Sequence, residues 1–548
     1  MSPIRMKLLR AAVTASLLLG LLSSSYAPSP VHARVTPPPP PTGHVKVQLL
    51  GINDFHGQLD FRAIAGDTVV GGAAYLAAYL KRYKMTNPDN TLLIHNGDAV
   101  GASSPISSLE RDKPTLDFLN MLGFKVGTLG NHEFDQGVPA MMAQLNGGMD
   151  PINPDITHSH TNIDYVNANV IEKATGKTII APYVVEQVGG EKIGFIGVVT
   201  MLTPSKVSPS ALEPVHMVEQ ATVVNKAVVA LKAQGVKAIV VLAHDPASQS
   251  GKSITGEAAD LANAVDDEVD IIFAGDNHVK VNGYVDNKLI FEAYSYGIAF
   301  ADVDLEIDPA THDIVKKEAT IVDVKQVNIK PDTEVAAFVQ AALDRHPELS
   351  QPVGTADQVY SNINAHTEEI ALGSLIADAM KDSMHADFAF MNPGGIRADL
   401  PRGNVLYSDL YRIQPFGNQL VKLTLTGAQI RTLLQQQWGD TPNKIKTLQI
   451  SGLKYTADFS KPITKRVISL TKEDGITISD SEEYSAVVNN FMASGGDNFT
   501  VIMQGANPVA GVTDIDALYN YVLKTFKHGT ITASVKGRIT NLNVTNVK

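Results

Sequence analysis

Short, almost unbroken apolar runs recur along the first half of the chain: VKVQLLGI (45–52), NTLLIHNG (90–97), KVGTLG (125–130), KIGFIGVVT (192–200), VKAIVVLAHD (236–245) and VDIIFAGD (269–276). Runs of this length without alternation suit strands covered on both faces. Helical patterns such as GGAAYLAAYLKRYK (71–84) lie between them, and the alternation predicts an α/β layered domain. FEAYSYGIAFADVDLEID (291–308) alternates apolar and polar positions, which predicts an antiparallel pair of strands closing that domain. DTEVAAFVQAALDRHPEL (332–349) reads as one connecting helix ended near Pro347. A second domain opens with the helical pattern TEEIALGSLIADAMKDSM (367–384), whose Leu372, Leu375, Ile376, Ala379 and Met380 share one face. Short strands and turns are expected from there onward, and no internal repeat is visible. The expected division is a first domain over 45–330, a connector helix region over 331–352 and a second domain over 353–548.

The N-terminal region departs from this pattern. Arg5, Lys7 and Arg10 precede the apolar run AAVTASLLLGLL (11–22), which is too short to span a bilayer. Val31-His32-Ala33 offers small residues for cleavage, with Ala27 a second candidate. Residues 1–33 therefore read as a secretory signal, the alternative being an uncleaved anchor. Residues 34–44 read as a proline-rich spacer. The expected mature protein is secreted or otherwise extracytoplasmic, with no stable membrane anchor after signal cleavage.

Composition narrows the chemistry. The 548 residues are 44% hydrophobic and 19% charged, which excludes a collagen, a coiled coil and a disordered chain. The formal net charge of −12 is opposite to the basic footprint of a general nucleic-acid binder. Cysteine is absent, so any metal must rest on nitrogen and oxygen ligands.

Such ligands cluster where the apolar runs stop. Asn53-Asp54-Phe55-His56 follows Ile52, His95-Asn96-Gly97-Asp98 follows Ile94, and Gly130-Asn131-His132-Glu133-Phe134-Asp135 follows Leu129. His244-Asp245 follows Ala243, and Gly275-Asp276-Asn277-His278 follows Ala274. In open α/β sheets ligands bind beyond the carboxyl ends of strands, so these clusters are expected at one edge. Asp, His and Asn there suit Mn²⁺ or Zn²⁺. A single Asp-x-His pair is usually a loop; five clusters in order are not easily so read. His158-Ser159-His160 follows no apolar run and reads as solvated surface, whereas Trp438 reads as core.

NDFHG (53–57), NGD (96–98), GNHEFD (130–135), the His244 strand end and GDNH (275–278) resemble a calcineurin-like metallophosphoesterase. With the second domain, the chain resembles the secreted 5'-nucleotidase family, which includes UDP-sugar hydrolases and 2',3'-cyclic-nucleotide phosphodiesterase/3'-nucleotidases. The resemblance covers roughly residues 45–540. It implies an N-terminal four-layer β-sandwich flanked by helices, a connector helix and a C-terminal α+β substrate-binding domain. It also implies two divalent metal ions, Mn²⁺ or Zn²⁺. Asp54, His56 and His278 would hold one ion, Asn131, His244 and Asp276 the other, and Asp98 would bridge them. His132 would face the scissile phosphate as the catalytic imidazole, and Asp135 would orient it and keep its charge, the alternative for Asp135 being an N-cap or turn residue. The family usually carries His at position 276, so Asp276 is a departure that adds negative charge.

In the second domain MNPGGIRADL (391–400), QPFGN (414–418) and NNFMASGGDNF (489–499) are, taken alone, turn signals. The resemblance implies that they build a nucleotide pocket. Phe416 and Phe491 would stack on the base, Asp497 would bind the ribose hydroxyls, Asn392 and Arg397 the phosphate, and Asn418 the base edge. SNINAHTEE (361–369) lacks the arginines some relatives carry there, which favours nucleoside monophosphates or cyclic nucleotides over UDP-sugars. The activity implied is a metal-dependent phosphoric monoester hydrolase using metal-activated hydroxide on a nucleotide, with no nucleic acid and no inferable protein partner. The competing reading is a non-catalytic nucleotide-binding or adhesive surface protein on the same fold, for which Asp276 is the support.

Overall fold

The computed structural model describes residues 43–60, 63–65, 68–438 and 445–544. The expected signal (1–33) and residues 34–42 of the spacer lie outside the described residues. In chain order the strands of the first domain's two large sheets are β1 (Val45–Ile52), β2 (Thr91–Asn96), β3 (Phe124–Thr128), β4 (Asp164–Val166), β5 (Tyr183–Val188), β6 (Glu191–Val199), β7 (Ala238–His244), β8 (Ile271–Phe273), β9 (Lys280–Val285), β10 (Lys288–Ala293), β11 (Ala299–Ile307) and β12 (Ile314–Asp323). One sheet runs β12-β11-β1-β2-β3-β4 and the other β5-β6-β7-β8-β10-β9. β1, β2, β3 and β4 pair in parallel, as do β6, β7, β8 and β10. Antiparallel strands close the other edges, at β12, β5 and β9.

Side-chain alternation sorts the central strands between two buried faces. On β1, Val47 and Leu49 enter the core between the sheets, while Leu50 and Ile52 face the outer helices. On β7, Val240 and Leu242 point inward and Ile239, Val241 and Ala243 outward. Helices α1 (Ala73–Lys84) and α2 (Lys113–Leu122) cover the first sheet through Leu76, Leu80, Phe118 and Leu119. Helices α3 (Gln220–Lys232) and α4 (Glu257–Ala264) cover the second through Val224, Val228, Leu231 and Leu261. The result is the four-layer arrangement expected from the sequence.

Three expectations for the first domain and the connector are corrected. Residues 291–308 do not form a strand pair: β10 and β11 lie in different sheets, each antiparallel to another strand. The turn between them carries left-handed backbone at Tyr294, Tyr296 and Gly297, which carries the chain from one sheet to the other. His158 is not solvated surface; it is 3% exposed and lies 3.2 Å from Asp150 Oδ2. The helix expected over 332–349 is α5 (Thr333–Asp344), capped by Asp332, whose Oδ1 accepts from Val335 N at 3.0 Å. A separate 3₁₀ turn starts at Pro347, as proline's missing N–H favours a first helical position. α5 packs along α1, with Val335 and Ala342 in the first domain's core.

The second domain is built on β13 (Phe388–Met391), β14 (Gln419–Thr426), β15 (Gln449–Ser451), β16 (Glu483–Asn489) and β17 (Ala506–Thr513), in the order β15-β13-β16-β14-β17. Helix α6 (Ala371–Met384) lies on one face, burying the five apolar residues read from its pattern. Helix α7 (Gly427–Gln435) and the buried Trp438 lie on the other. Helix α8 (Asp514–Phe526) joins α6 where strands and turns were expected. Among the described residues, no helix is long and apolar enough to cross a membrane.

Candidate metal centre and substrate face

The carboxyl ends of β1, β2, β3, β7 and β8 meet at one edge of the sandwich. Asn96 ties the two sheets there: its Nδ2 donates to Ala243 O (3.0 Å) and Phe273 O (2.7 Å), and its backbone carbonyl accepts from His244 Nδ1 (2.7 Å). The His56 Nδ1 is engaged with Gly101 O at 2.8 Å. Both imidazoles therefore turn Nε2 inward, the arrangement that prepares a histidine for a metal.

The inward atoms converge. His278 Nε2 lies 3.4 Å from Asp54 Oδ1 and 3.3 Å from His56 Nε2. His244 Nε2 lies 3.2 Å from Asp98 Oδ2 and 3.8 Å from Asp54 Oδ1. Asp54, His56 and His278 form one triad able to hold a cation, and Asp54, Asp98 and His244 form a second. The resemblance implies Asp98 as the carboxylate common to both ions; Asp54 is the residue common to these two groups. Asp98 still reaches both sides, with Oδ2 3.6 Å from His56 Nε2. Asn131 is 2% exposed and its Oδ1 has no hydrogen-bond partner, while His244 Nε2 makes no well-directed hydrogen bond. Buried polar atoms are normally satisfied, so these exceptions, together with the crowded carboxylates, fit a divalent cation.

Backbone conformation marks the same residues. Asp54 (φ 50°), His56 (49°), Asp98 (46°), Asp276 (79°) and His278 (58°) all adopt left-handed φ. Such residues cost about 1–3 kcal/mol each and cluster at functional sites.

Electrostatics follow from burial and crowding. Burial alone would raise the Asp98 carboxyl, but His244, His132 and His56 outweigh it and hold it well below the usual range. Burial likewise opposes the positive charge of His244, yet Asp98 and Asp54 raise it well above an ordinary histidine. For His56 burial wins over Asp98 and the imidazole is held neutral. His132 is raised: burial lowers it, but Asp135 and Asp98 prevail. Its Nδ1 lies 2.8 Å from Asp135 Oδ2, and its backbone N–H donates to Asp98 Oδ1 at 2.8 Å.

Asp276 is placed differently. Its Oδ1 is 3.9 Å from His244 Nε2, but its carboxylate is held by Lys206, a residue the sequence reading did not single out. Glu133 was also missed. Its carboxylate accepts from the backbone N–H groups of Asp98 (2.9 Å), Ala99 (2.8 Å) and Gly130 (2.6 Å), joining the β2 and β3 loops. Burial and the Asp98 charge push it up to about 7. A glutamate inside GNHEFD with no ligand role was the available signal. Asn53 braces Asp54 Oδ2 at 2.6 Å and Tyr294 O at 2.6 Å.

The second domain faces this centre. The Phe416 ring stacks on His132, with centroids 5.7 Å apart and planes at 25°. The Arg397 guanidinium is 5.9 Å from the Phe416 ring, and its charge is felt by His56 and His132. Asn392 Nδ2 donates to Asp497 Oδ2 (2.9 Å), and Lys446 Nζ, also missed from sequence, donates to Asp497 Oδ1 (2.6 Å). Asn418 accepts from Asp514 N through its backbone carbonyl at 2.8 Å. Phe491 is half-buried against the second domain's core, its ring over Gly496. The structure thus joins Asn392 to Asp497 and brings Arg397 and Phe416 to the metal side. Phe491 packs instead with the core beside the Asp497 turn.

Known proteins share this organisation. The calcineurin-like phosphoesterase family model matches residues 47–280, and the 5'-nucleotidase C-terminal domain model matches 352–504. Endonuclease YhcR of Bacillus subtilis is 42% identical over 492 residues, which are 88% of this chain and 40% of that protein. The chain thus spans two fifths of that relative's length. Cell wall protein Lmo0130 of Listeria monocytogenes is 35% identical over 544 residues, covering 90% of this chain and 69% of that one. A 5'-nucleotidase precursor from Thermus thermophilus superposes with a TM-score of 0.77 at 27% identity, over 91% of this chain and all of that one. Fold and site together define a calcineurin-like, metal-dependent phosphoesterase. With its second domain, the chain belongs to the 5'-nucleotidase family.

Proposed function

We propose that this chain is an extracytoplasmic nucleotide phosphohydrolase working with two divalent ions, Mn²⁺ or Zn²⁺, on nucleoside monophosphates or cyclic nucleotides. The observation that carries the reading is the convergence of Asp54, His56, Asp98, His244 and His278 on one buried edge, beside the unpartnered Asn131 Oδ1. When bound, divalent ions supply Lewis-acid charge to the phosphoryl oxygens and make water nucleophilic near neutral pH. Around them His132, its Nδ1 engaged by Asp135, presents Nε2 to stabilise the transition state or to protonate the leaving oxygen. Arg397 adds a fork of donors suited to phosphate oxygens. Asn392 joins Arg397 at the phosphate, Asp497 holds the ribose, and Phe416 and Phe491 supply apolar rings for a base. The reading of residues 1–33 as a signal, and a relative named a cell wall protein, support the extracytoplasmic placement.

Chelated, purified protein is reloaded with Mn²⁺, Zn²⁺ or Mg²⁺ and assayed for phosphate release from 5'-, 3'- and 2',3'-cyclic nucleotides, UDP-glucose and an oligonucleotide. Turnover of mononucleotides is expected. Binding of nucleotides without turnover in any metal would instead support the non-catalytic reading. Preferred cleavage of the oligonucleotide would favour an activity like that named for the Bacillus subtilis relative.

A further inference from the structure

Lys206 has no part in the chemistry described so far. It ends the single helical turn Thr203–Lys206 that follows β6, and that turn lies against the Gly496–Asn498 turn bearing Asp497. Its ammonium donates to both carboxylate oxygens of Asp276, whose side chain is 6% exposed. The same carboxylate has one oxygen 3.9 Å from His244 Nε2. The Asp276 backbone N–H donates to Asp54 at 3.2 Å, which fixes the carboxylate at the rim of the metal centre. A carboxylate this deep needs a compensating cation, and the chain supplies one covalently attached to itself.

Both oxygens of Asp276 are held by an ammonium, so a metal ion that takes this ligand must either displace Lys206 or share the carboxylate with its positive charge, and both weaken the binding of the ion. We propose that Lys206 is a resident placeholder cation: it holds Asp276 until a divalent ion competes for it, and so sets the affinity of the metal position beside His244 and Asn131. The proposal rests on the two-ion reading above. The position formed by Asp54, His56 and His278 makes no contact with Lys206 among the described residues and fills without this competition. Filling is therefore ordered, the tight position first and the Lys206-guarded position second.

The test is calorimetric titration of chelated full-length protein with Mn²⁺, alongside Mn²⁺ electron paramagnetic resonance to detect coupled pairs. K206M keeps the apolar stem without the charge, and K206R keeps the charge. Wild type is expected to show one tighter and one weaker site. In K206M the weaker site should tighten by about tenfold or more, since its apparent affinity is no longer divided by the competition. The tighter site should not move, K206R should stay near wild type, and the coupled-pair signal should appear at lower Mn²⁺ in K206M. If K206M does not fold, K206Q, which keeps a donor without the charge, takes its place in the same titration. Identical affinities in wild type and the neutral variant, or equal tightening in K206R, would overturn the role of Lys206 alone. Wild type that takes up no Mn²⁺ would overturn the two-ion reading and this inference together.

Discussion

At the residue scale His132 has the sharpest consequence. Its Nδ1 is engaged by Asp135, its backbone by Asp98, and its ring is covered by Phe416. His132→Ala should keep normal metal content and lower kcat by roughly 10²–10⁴, the scale of losing an acid–base or transition-state group. Wild-type turnover with normal metal content would remove His132 from the mechanism. Asp135 raises the His132 pKa, so Asp135→Asn should lower it. If the protonated imidazole is the working form, activity is lost as pH rises through that pKa. The alkaline limb of the kcat profile should therefore fall at lower pH in Asp135→Asn than in wild type. A limb that stays in place would make Asp135 a turn residue, the alternative the sequence left open.

At the scale of elements, the centre is a set of strand ends held in register by their loops. Gly130 shows how close they run: a Cβ there would collide with the Asp98 carboxylate and come 2.7 Å from His244 Nε2. Gly130→Ala should fold and lose bound metal, read by elemental analysis after gel filtration; a full metal complement would show that the loops can give. Chelation should lower the melting temperature, because an ion present at 100 times its Kd contributes about 2.7 kcal/mol to the folded state. An unchanged melting temperature would mean that the folded state gains nothing from the ion. The strand ends were legible because β1, β2, β3, β7 and β8 are buried on both faces, which leaves unbroken apolar runs that stop at the ligands. Helix α8 was less legible. Tyr519, Tyr521 and Val522 are common in strands, whereas Ile515, Leu518 and Val522 recur at helical spacing and are among the residues it buries. The path of 291–308 could not be read either, since alternation shows that strands exist but not which sheet takes them. Lys206 and Lys446 act through partners 70 and 51 residues away, separations that no local motif records; Glu133 reaches Asp98 and Ala99, 35 and 34 residues away, as well as Gly130 inside its own motif.

At the scale of the whole molecule the two domains share one working surface. Arg412 pairs with Asp60, Ser108 Oγ donates to Tyr411 at 3.1 Å, and Phe416 covers His132. Phe491→Ala should weaken kcat/KM for nucleotides by ~1–3 kcal/mol and spare p-nitrophenyl phosphate, which has no base to stack. Phe416→Ala should lower both, because its ring also rests on the catalytic imidazole. Equal losses in Phe491→Ala on the two substrates would make that ring part of the core alone. The Phe416–His132 stack also bears on inhibition. A flat aromatic compound wedged between those rings would disable the imidazole without binding a metal. It would discriminate against phosphoesterases that share the sandwich and its ions but place no second-domain ring over the histidine.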